Sequence, residues 1–180
     1  MMQTPAVLRR LLPAFAMTCI ALAASTLPAQ MASPAQTKIL APEDLTRVMP
    51  ATVFFRGQSA SVQLRNSYGL RFSDGTMMLT ALVDSSGYSS GIRQKYQGYI
   101  LSEVPLTIGG KKLAAGAYGF GMLSDNTFVV MDLGAHDILR VPSQTDAALA
   151  RPRPLAILPG NSPGSYRFYE GRRFVSIQGK

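Results

Sequence analysis

The stretch between residues 96 and 133 constrains the fold more than any other part of this chain. Apolar runs of strand length alternate there with short polar breaks, and Gly109-Gly110 stands between two of the runs. Tight hairpin turns need positive φ at their central residues, and glycine adopts positive φ without steric cost. The dipeptide therefore predicts a β-hairpin at this point, within what we interpret as the central meander of a β domain.

The strand that returns from this turn has two different faces. Tyr118, Phe120 and Met122 alternate with Gly119 and Gly121. Because successive strand residues point to opposite sides of a sheet, one face is aromatic and the other is nearly bare.

Outside this stretch, the sequence predicts one short helix followed by further strands. Pro42–Val48 predicts one short helix, since proline suits the first helical position and Pro50 disfavours helical geometry in the residue before it. Short β-branched or aromatic runs bounded by turn residues follow, at 52–56, 61–65, 68–72, 76–83, 138–141, 154–158, 166–169 and 172–177. This pattern predicts an all-β fold, an antiparallel sandwich or barrel-like domain with one short N-terminal helix.

The first 29 residues have the features of a secretory signal peptide. Arg9 and Arg10 precede an apolar run at 11–24, and small residues offer cleavage after Ala23, Ala24 or Ala29, of which we favour Ala29. The run is too short for an ordinary membrane span, and we expect no transmembrane segment in the mature chain. We therefore expect an exported protein, periplasmic or secreted, from a bacterium.

Two other forms of export fit this segment less well. Cys19 as a lipid-attachment site is disfavoured by the residues on both sides of it, and a twin-arginine signal would match only the Arg9-Arg10 pair. Residues 30–41, rich in alanine, proline, serine and glutamine, are expected to form a flexible leader. Residues 42–180 are expected to form a single β domain.

Composition limits the kinds of partner. Cys19 is the only cysteine, so a chain cleaved at any of these sites has neither disulfides nor cysteine metal ligands. Removal of Arg9 and Arg10 leaves sixteen basic and ten acidic residues, a net charge of +6. This balance favours weak association with an anionic envelope component or glycan. Export and the lack of any recognition motif argue against nucleic acid.

The segment 106–120, Leu-Thr-Ile-Gly-Gly-Lys-Lys-Leu-Ala-Ala-Gly-Ala-Tyr-Gly-Phe, resembles the hallmark hairpin of an uncharacterised family of exported bacterial proteins. In that family an Ile-Gly-Gly-Lys-like turn is followed by Leu-Pro-Ala-Gly-Thr-Tyr, and this chain keeps Leu113, Gly116 and Tyr118 but lacks the proline. The resemblance implies an exported β-sandwich-like domain. It implies no activity.

One motif points to catalysis. Gly87-Tyr88-Ser89-Ser90-Gly91 fits the Gly-x-Ser-x-Gly pattern of a nucleophile elbow, and the single histidine, His136, would be its base, with Asp125 or Asp132 as the acid. The elbow requires a helix after the serine, and the sequence predicts none there. We favour an ordinary loop at Ser89 and a turn histidine at His136. One histidine and no cysteine also argue against a transition-metal site, and no cofactor is predicted.

Two further sets of residues are candidates for ligand binding. The bare face at Gly119 and Gly121 leaves room for a ligand or for close packing of another segment, and we favour close packing. Tyr96 and Tyr99, with Tyr88, would form a stacking platform for sugars if they were exposed, although tyrosines are common on half-buried strands.

The last thirty residues are the most basic part of the chain. Arg167, Arg172 and Arg173 surround the Glu170-Gly171 turn of a predicted closing hairpin, and together they are a candidate anion patch. The alternative, which we favour, is a charged strand edge that discourages pairing with other chains.

These features lead to three hypotheses for function. The first is an exported, non-catalytic binding or envelope-associated β domain of unknown ligand. The others are a small serine hydrolase using Ser89 and His136, and a structural subunit whose strands complete a partner.

Overall fold

The computed structural model describes residues 36–179. The predicted signal peptide at 1–29 and the first half of the predicted leader, 30–35, lie outside these residues. Within these residues, fourteen strands form two antiparallel sheets that pack face to face, and two short helices lie between strands along the chain. Of the two predicted architectures, the structure shows the sandwich, so the all-β prediction is confirmed.

The elements follow one another in a simple order. The helices are α1 (Pro42–Leu45) and α2 (Ser90–Arg93). The strands are β1 (Lys38–Leu40), β2 (Thr52–Phe55), β3 (Gln58–Arg71), β4 (Met77–Val83), β5 (Gly98–Ser102), β6 (Leu106–Ile108), β7 (Lys111–Leu113), β8 (Gly116–Met122), β9 (Thr127–Met131), β10 (Asp137–Pro142), β11 (Gln144–Thr145), β12 (Arg153–Pro159), β13 (Ser165–Gly171) and β14 (Arg173–Gln178).

The first sheet has the strand order β1-β3-β4-β5-β8-β9-β10, with β2 paired to β3. The second has the order β12-β13-β14-β6-β7, with β11 paired to β14. Apolar side chains from both inner faces form the main core, among them Phe120, Phe128 and Phe168, whose rings lie 5.0–5.7 Å apart in tilted or edge-to-face contact. This contact between aromatic residues of the two sheets fixes their packing.

The central meander is interrupted, which corrects the sequence interpretation. Gly109 and Gly110 do form the predicted turn, with φ of 54° and 84°, but it joins only the short strands β6 and β7. These two strands belong to the second sheet, while β5 pairs directly with β8 in the first. The physical reason is burial, because Leu106, Ile108 and Leu113 fill the space between the sheets.

Local boundaries differ from the expected ones in three places. Residues 38–40, assigned to the flexible leader, form β1 because Leu40 packs against Leu45 and Leu79. The two strands expected at 61–65 and 68–72 are one long strand, β3, whose irregularity between Val62 and Ser67 contains the polar break. The helix α2 begins directly after Ser89, where an ordinary loop is predicted.

The two outer faces of the sandwich are covered to different extents. On the first sheet, the β2–β3 hairpin, α1 and the segment that contains α2 bury apolar side chains in two smaller clusters. On the second sheet, Ser176 and Gln178 are exposed on β14. No helix of residues 36–179 is long and apolar enough to cross a membrane.

Candidate binding site

Ser89 and His136 lie in separate loops. Ser89 precedes α2, its side chain is exposed, and its hydroxyl makes no hydrogen bond to the start of that helix. His136 lies in the turn between β9 and β10. Within residues 36–179, no hydrogen bond joins the two side chains, and α2 has a single turn instead of the helix that a nucleophile elbow requires.

Asp132 organises the turn that contains His136. One carboxylate oxygen accepts hydrogen bonds from the backbone amides of Gly134 and His136, each at 2.9 Å, and the other lies 2.9 Å from Nδ1 of the His136 ring. These hydrogen bonds lower the pKa of Asp132 below its usual range, and the bond from the His136 backbone amide has the largest effect. The His136 ring is 81% exposed, so its contact with Asp132 belongs to a surface turn that the aspartate closes. Among the described residues no group of three or more His, Cys, Asp or Glu side chains could hold a metal ion.

The bare face at Gly119 and Gly121 is covered by protein. A Cβ on Gly119 would overlap the Phe55 ring, and one on Gly121 would overlap the backbone carbonyl of Lys95. Both glycines are buried. They permit the close approach of the β2–β3 hairpin and of the segment after α2, and they leave no space for a ligand.

The tyrosines are part of the packing on this same face. Tyr96 is fully buried and stacks on Phe55 at a centroid distance of 3.8 Å, with Tyr88 in edge contact at 5.1 Å. Burial raises the pKa of the Tyr96 phenol. Tyr99 is half-buried and lines a cavity of about 10 Å³, which is the size of a single water probe. None of these three rings forms an exposed platform.

The three arginines of the candidate anion patch point to different places. Arg172 donates to the carbonyls of Ala147 and Leu149 in the segment after β11. Arg173 donates to the carbonyls of Leu123 and Met122 in the first sheet. Arg167 lies on the outer face of the second sheet. The structure therefore does not bring the three guanidinium groups into one patch. Arg173 also lines a groove, of about 480 Å³, but its guanidinium is engaged by the two backbone carbonyls. Arg167 lines a different groove, on the outer face of the second sheet.

That groove is the candidate binding site. Val175 and Ile177 point into the core, so Phe174, Ser176 and Gln178 lie on the outer face of β14. Arg167, which belongs to the adjacent strand β13, lies directly opposite Ser176. The groove has a volume of about 240 Å³ and is lined by Gln144, Gly160, Asn161, Ser162, Ser165, Tyr166, Arg167, Phe174, Ser176 and Gln178.

Arg167 is held in a defined position at the centre of this groove. Its guanidinium group donates to the Asn161 side-chain oxygen at 2.5 Å and to the Tyr169 hydroxyl at 3.3 Å, and it lies 5.0 Å from the centroid of the Phe174 ring. Asp146 accepts a hydrogen bond from the Tyr169 hydroxyl at 2.9 Å and lies 3.7 Å from the guanidinium. An arginine has five N–H donors, so donors remain for a ligand.

Sequence reasoning identified Arg167 but missed the rest of the groove. Phe174, Ser176 and Gln178 alternate with Val175 and Ile177, and this alternation identifies an outward polar face. Asp146 and Asn161 lie in loops that reach the groove only through the fold, and no local pattern marks them.

Comparison with known proteins gives no relative from which a role could be transferred. No family model matches the chain, and neither a curated protein nor a solved structure is significantly similar to it. The similarity of segment 106–120 to the family of exported proteins therefore stays a resemblance.

Proposed function

We propose that this chain is an exported, non-catalytic binding domain that holds a glycan against the outer face of its second sheet. The observation that carries the proposal is Arg167. Its guanidinium is fixed by Asn161, Tyr169 and Phe174 before any ligand arrives, and it still faces an open groove. Groups that are ordered in advance bind more tightly, because less conformational entropy is lost on binding.

The chemistry of the lining favours a ligand with many hydroxyl groups. Amide side chains at Gln144, Asn161 and Gln178 have both donors and acceptors, and the hydroxyls of Ser162 and Ser176 add further groups of both kinds. Sugar hydroxyls also donate and accept, so the two sets are complementary. The aromatic ring of Phe174 gives the groove an apolar surface against which C–H groups of a sugar ring can pack.

Export is the other part of the proposal, and it rests on the N-terminal sequence. The basic pair Arg9-Arg10, the apolar run at 11–24 and the small residues before Gln30 support a cleaved signal peptide. A periplasmic or secreted protein meets envelope and extracellular polysaccharides, which are the ligands that the groove suits. Mass spectrometry of the chain recovered from the periplasm or medium of a bacterial host should give Gln30 as its first residue, and an intact N-terminus in the cytoplasm would contradict export.

Binding is tested by affinity electrophoresis of the full chain, expressed with its own N-terminal segment. The gels contain dextran, xylan, laminarin, soluble chitosan or polygalacturonate, and a gel without polysaccharide serves as reference. We expect retardation in at least one gel, and loss of that retardation in Ser176→Trp, which fills the groove beside Arg167. The control is Ser61→Trp, an equally large change at an exposed position of β3 on the first sheet. Free migration of the wild-type chain in every gel would overturn the proposal.

The serine hydrolase hypothesis predicts a different result. Ser89 would need an activating base within hydrogen-bond reach, and within residues 36–179 the His136 ring bonds to Asp132 and not to Ser89. A fluorophosphonate probe that labels the chain, but not a Ser89→Ala variant, would favour catalysis over the binding domain proposed here.

A further inference from the structure

The groove at Arg167 adjoins a second, larger groove. The second has a volume of about 590 Å³ and lies between β1 and the loop at 160–164 that connects β12 to β13. Five residues line both grooves, namely Gly160, Asn161, Ser162, Ser165 and Tyr166. The Arg167 groove alone, at about 240 Å³, is smaller than the roughly 300–1,000 Å³ of a typical ligand pocket. A ligand of ordinary size would therefore have room to extend into the second groove.

The shared loop is closed by its own hydrogen bonds, and it forms a wall of both grooves. The backbone amide of Gly160 donates to the Ser165 carbonyl at 2.8 Å, and the Ser165 hydroxyl donates to the Ser162 carbonyl at 2.7 Å and accepts from the Ser162 amide at 3.1 Å. Gly160 permits this closure, because a Cβ there would overlap the Ser165 hydroxyl. Arg167 then fixes the loop to the sheet through Asn161.

The far wall of the second groove is the short strand β1 and the residue before it. Among the described residues β1 pairs with β3 alone, so its other edge presents backbone groups towards the groove. Thr37 adds a hydroxyl, and it is half-buried. Backbone N–H and C=O groups at an open strand edge are hydrogen-bonding partners for hydroxyls as well as for peptides.

The charges along this path are balanced locally. Lys38 forms an ion pair with Asp44 at 3.1 Å, and Arg167 lies beside Asp146 at 3.7 Å. Each cation at the grooves therefore has its own carboxylate nearby, although the whole chain is strongly basic. A polyanion would have to compete with these carboxylates, whereas an uncharged ligand would leave both pairs intact.

We propose that the two grooves form one continuous track for an uncharged, unbranched oligosaccharide. This inference rests on the proposed glycan-binding function and specifies its ligand. The Arg167 groove holds one end of the sugar chain, and the groove beside Thr37 holds the units that follow. Affinity should therefore rise with chain length until both grooves are filled, and it should depend little on salt because no net charge is neutralised.

The experiment is isothermal titration calorimetry of the full chain with malto-, cello-, laminari- and chito-oligosaccharides, each from disaccharide to octasaccharide. Oligogalacturonides of the same lengths form the acidic comparison. For the neutral series that binds, we expect the longest members to bind at least about tenfold more tightly than the disaccharide, a difference that calorimetry resolves easily. Low and high salt should give the same affinity.

Two variants locate the track. Ser176→Trp blocks the Arg167 groove and should abolish binding at every length. Thr37→Trp fills the second groove and should lower the affinity of the long oligosaccharides about tenfold, to that of the short ones, while the short ones are unaffected. The matched control is Thr52→Trp, at an exposed position of β2 on the first sheet, which should bind like the wild-type chain.

The outcomes separate this inference from the proposed function. Binding that is independent of length and unaffected by Thr37→Trp would overturn the track but leave a glycan site at Arg167. Tight binding of the oligogalacturonides alone, weakened by salt, would overturn the assignment to an uncharged ligand and leave glycan binding in place. No binding of any oligosaccharide, together with free migration in every polysaccharide gel, would overturn both.

Discussion

Glu170 lies directly opposite Arg173 across the β13–β14 hairpin, and one oxygen of its carboxylate is buried without a hydrogen-bond partner. Burial raises the pKa of Glu170 from 4.5 to about 7, while the positive charge of Arg173 acts in the opposite direction. In the folded chain the Glu170 carboxyl is therefore protonated below about pH 7. Glu170 lies at the end of the sandwich where Arg173 also contacts the first sheet.

The sign of the resulting pH dependence follows from this raised pKa. The folded state holds the Glu170 proton up to about pH 7, whereas the unfolded chain releases it near pH 4.5. The contribution of Glu170 to the free energy of unfolding is therefore highest below pH 4.5, falls as the pH rises from 4.5 to about 7, and remains low above pH 7. Glu170→Gln removes the titration, so at pH 8 we expect the variant to be more stable than wild type by about 1–3 kcal/mol.

Urea denaturation of both chains at acidic and alkaline pH measures this difference. The gain from Glu170→Gln should disappear well below pH 4.5, where the wild-type carboxyl is protonated in both the folded and the unfolded state. Glu43→Gln, which changes an exposed glutamate of α1, is the control for the loss of one glutamate. A gain from Glu170→Gln that is equal at both pH values would contradict a buried titrating carboxyl.

Arg173 connects the two sheets, and its loss should cost stability. The guanidinium donates to the Leu123 carbonyl and, at 3.1 Å, to the Met122 carbonyl at the β8–β9 turn. Both carbonyls keep a second donor without Arg173. The Met122 carbonyl accepts from the Gln97 side chain, and the Leu123 carbonyl accepts from the Asn126 backbone amide, so the variant loses the charged hydrogen bonds alone. Since hydrogen bonds to charged groups are worth about 1.5–3 kcal/mol, Arg173→Met should lower the free energy of unfolding by about that amount.

The pH dependence of this second variant provides its check. Without Arg173 the ionised Glu170 has lost its opposite charge, so the cost of Arg173→Met should be larger at pH 8 than at pH 5. In a Glu170→Gln background that difference should vanish, since no carboxylate remains. Arg65→Met, at an exposed arginine of β3, should change stability little at either pH. Equal costs for Arg173→Met and Arg65→Met would mean that the contact between the sheets contributes nothing.

Turns and alternation carried most of the fold information in this sequence. Gly109-Gly110 identified the β6–β7 hairpin, and the change of pattern around Gly171 identified the β13–β14 hairpin, because both depend on residues close in sequence. The assignment of strands to sheets was not local. Nothing near Leu106 indicates that β6 pairs with β14, about seventy residues later, because this pairing depends on which apolar side chains fill the common core.

The candidate site was less accessible to sequence reasoning than the fold. Arg167 stood out by charge, yet its role depends on Asn161, Asp146 and Phe174, which come from two loops and the neighbouring strand. Arg172 and Arg173 looked equivalent to it in the sequence. They differ because their side chains donate to backbone carbonyls instead of facing the groove, and such carbonyls have no signature in the sequence.

The close packing at the bare face of β8 predicts which glycine tolerates a side chain. Gly121 is buried against the backbone carbonyl of Lys95, which cannot move as a flexible side chain would. Gly121→Ala should therefore destabilise the chain by about 1–3 kcal/mol, the usual cost of overpacking a core. Gly87→Ala is the matched control, because an added Cβ there meets no atom within 4 Å. Thermal unfolding of the two variants compares them, and equal melting temperatures would show that the β8 face is open after all.

Two buried tyrosines should respond in opposite ways to loss of their hydroxyl groups. The Tyr88 hydroxyl lies 3.0 Å from the Phe55 carbonyl and 3.1 Å from the Gln58 carbonyl. The buried Tyr96 hydroxyl makes no hydrogen bond of good geometry, and the Tyr88 side chain is its polar neighbour. Tyr88→Phe removes a hydrogen bond and should cost about 0.5–1.5 kcal/mol. Tyr96→Phe removes an unsatisfied polar group from the interior and should be neutral or stabilising.

The two substitutions are each other's control, because each deletes one oxygen from a ring of the same aromatic cluster and leaves the ring contacts in place. Denaturant unfolding of both variants at neutral pH measures the difference, where both phenols are protonated since burial raises the pKa of each. A larger loss from Tyr96→Phe than from Tyr88→Phe would mean that Tyr96 has a hydrogen-bond partner in solution, such as a buried water. The cluster would then contain a polar cavity beside the close packing that the structure shows around Phe55 and Gly119.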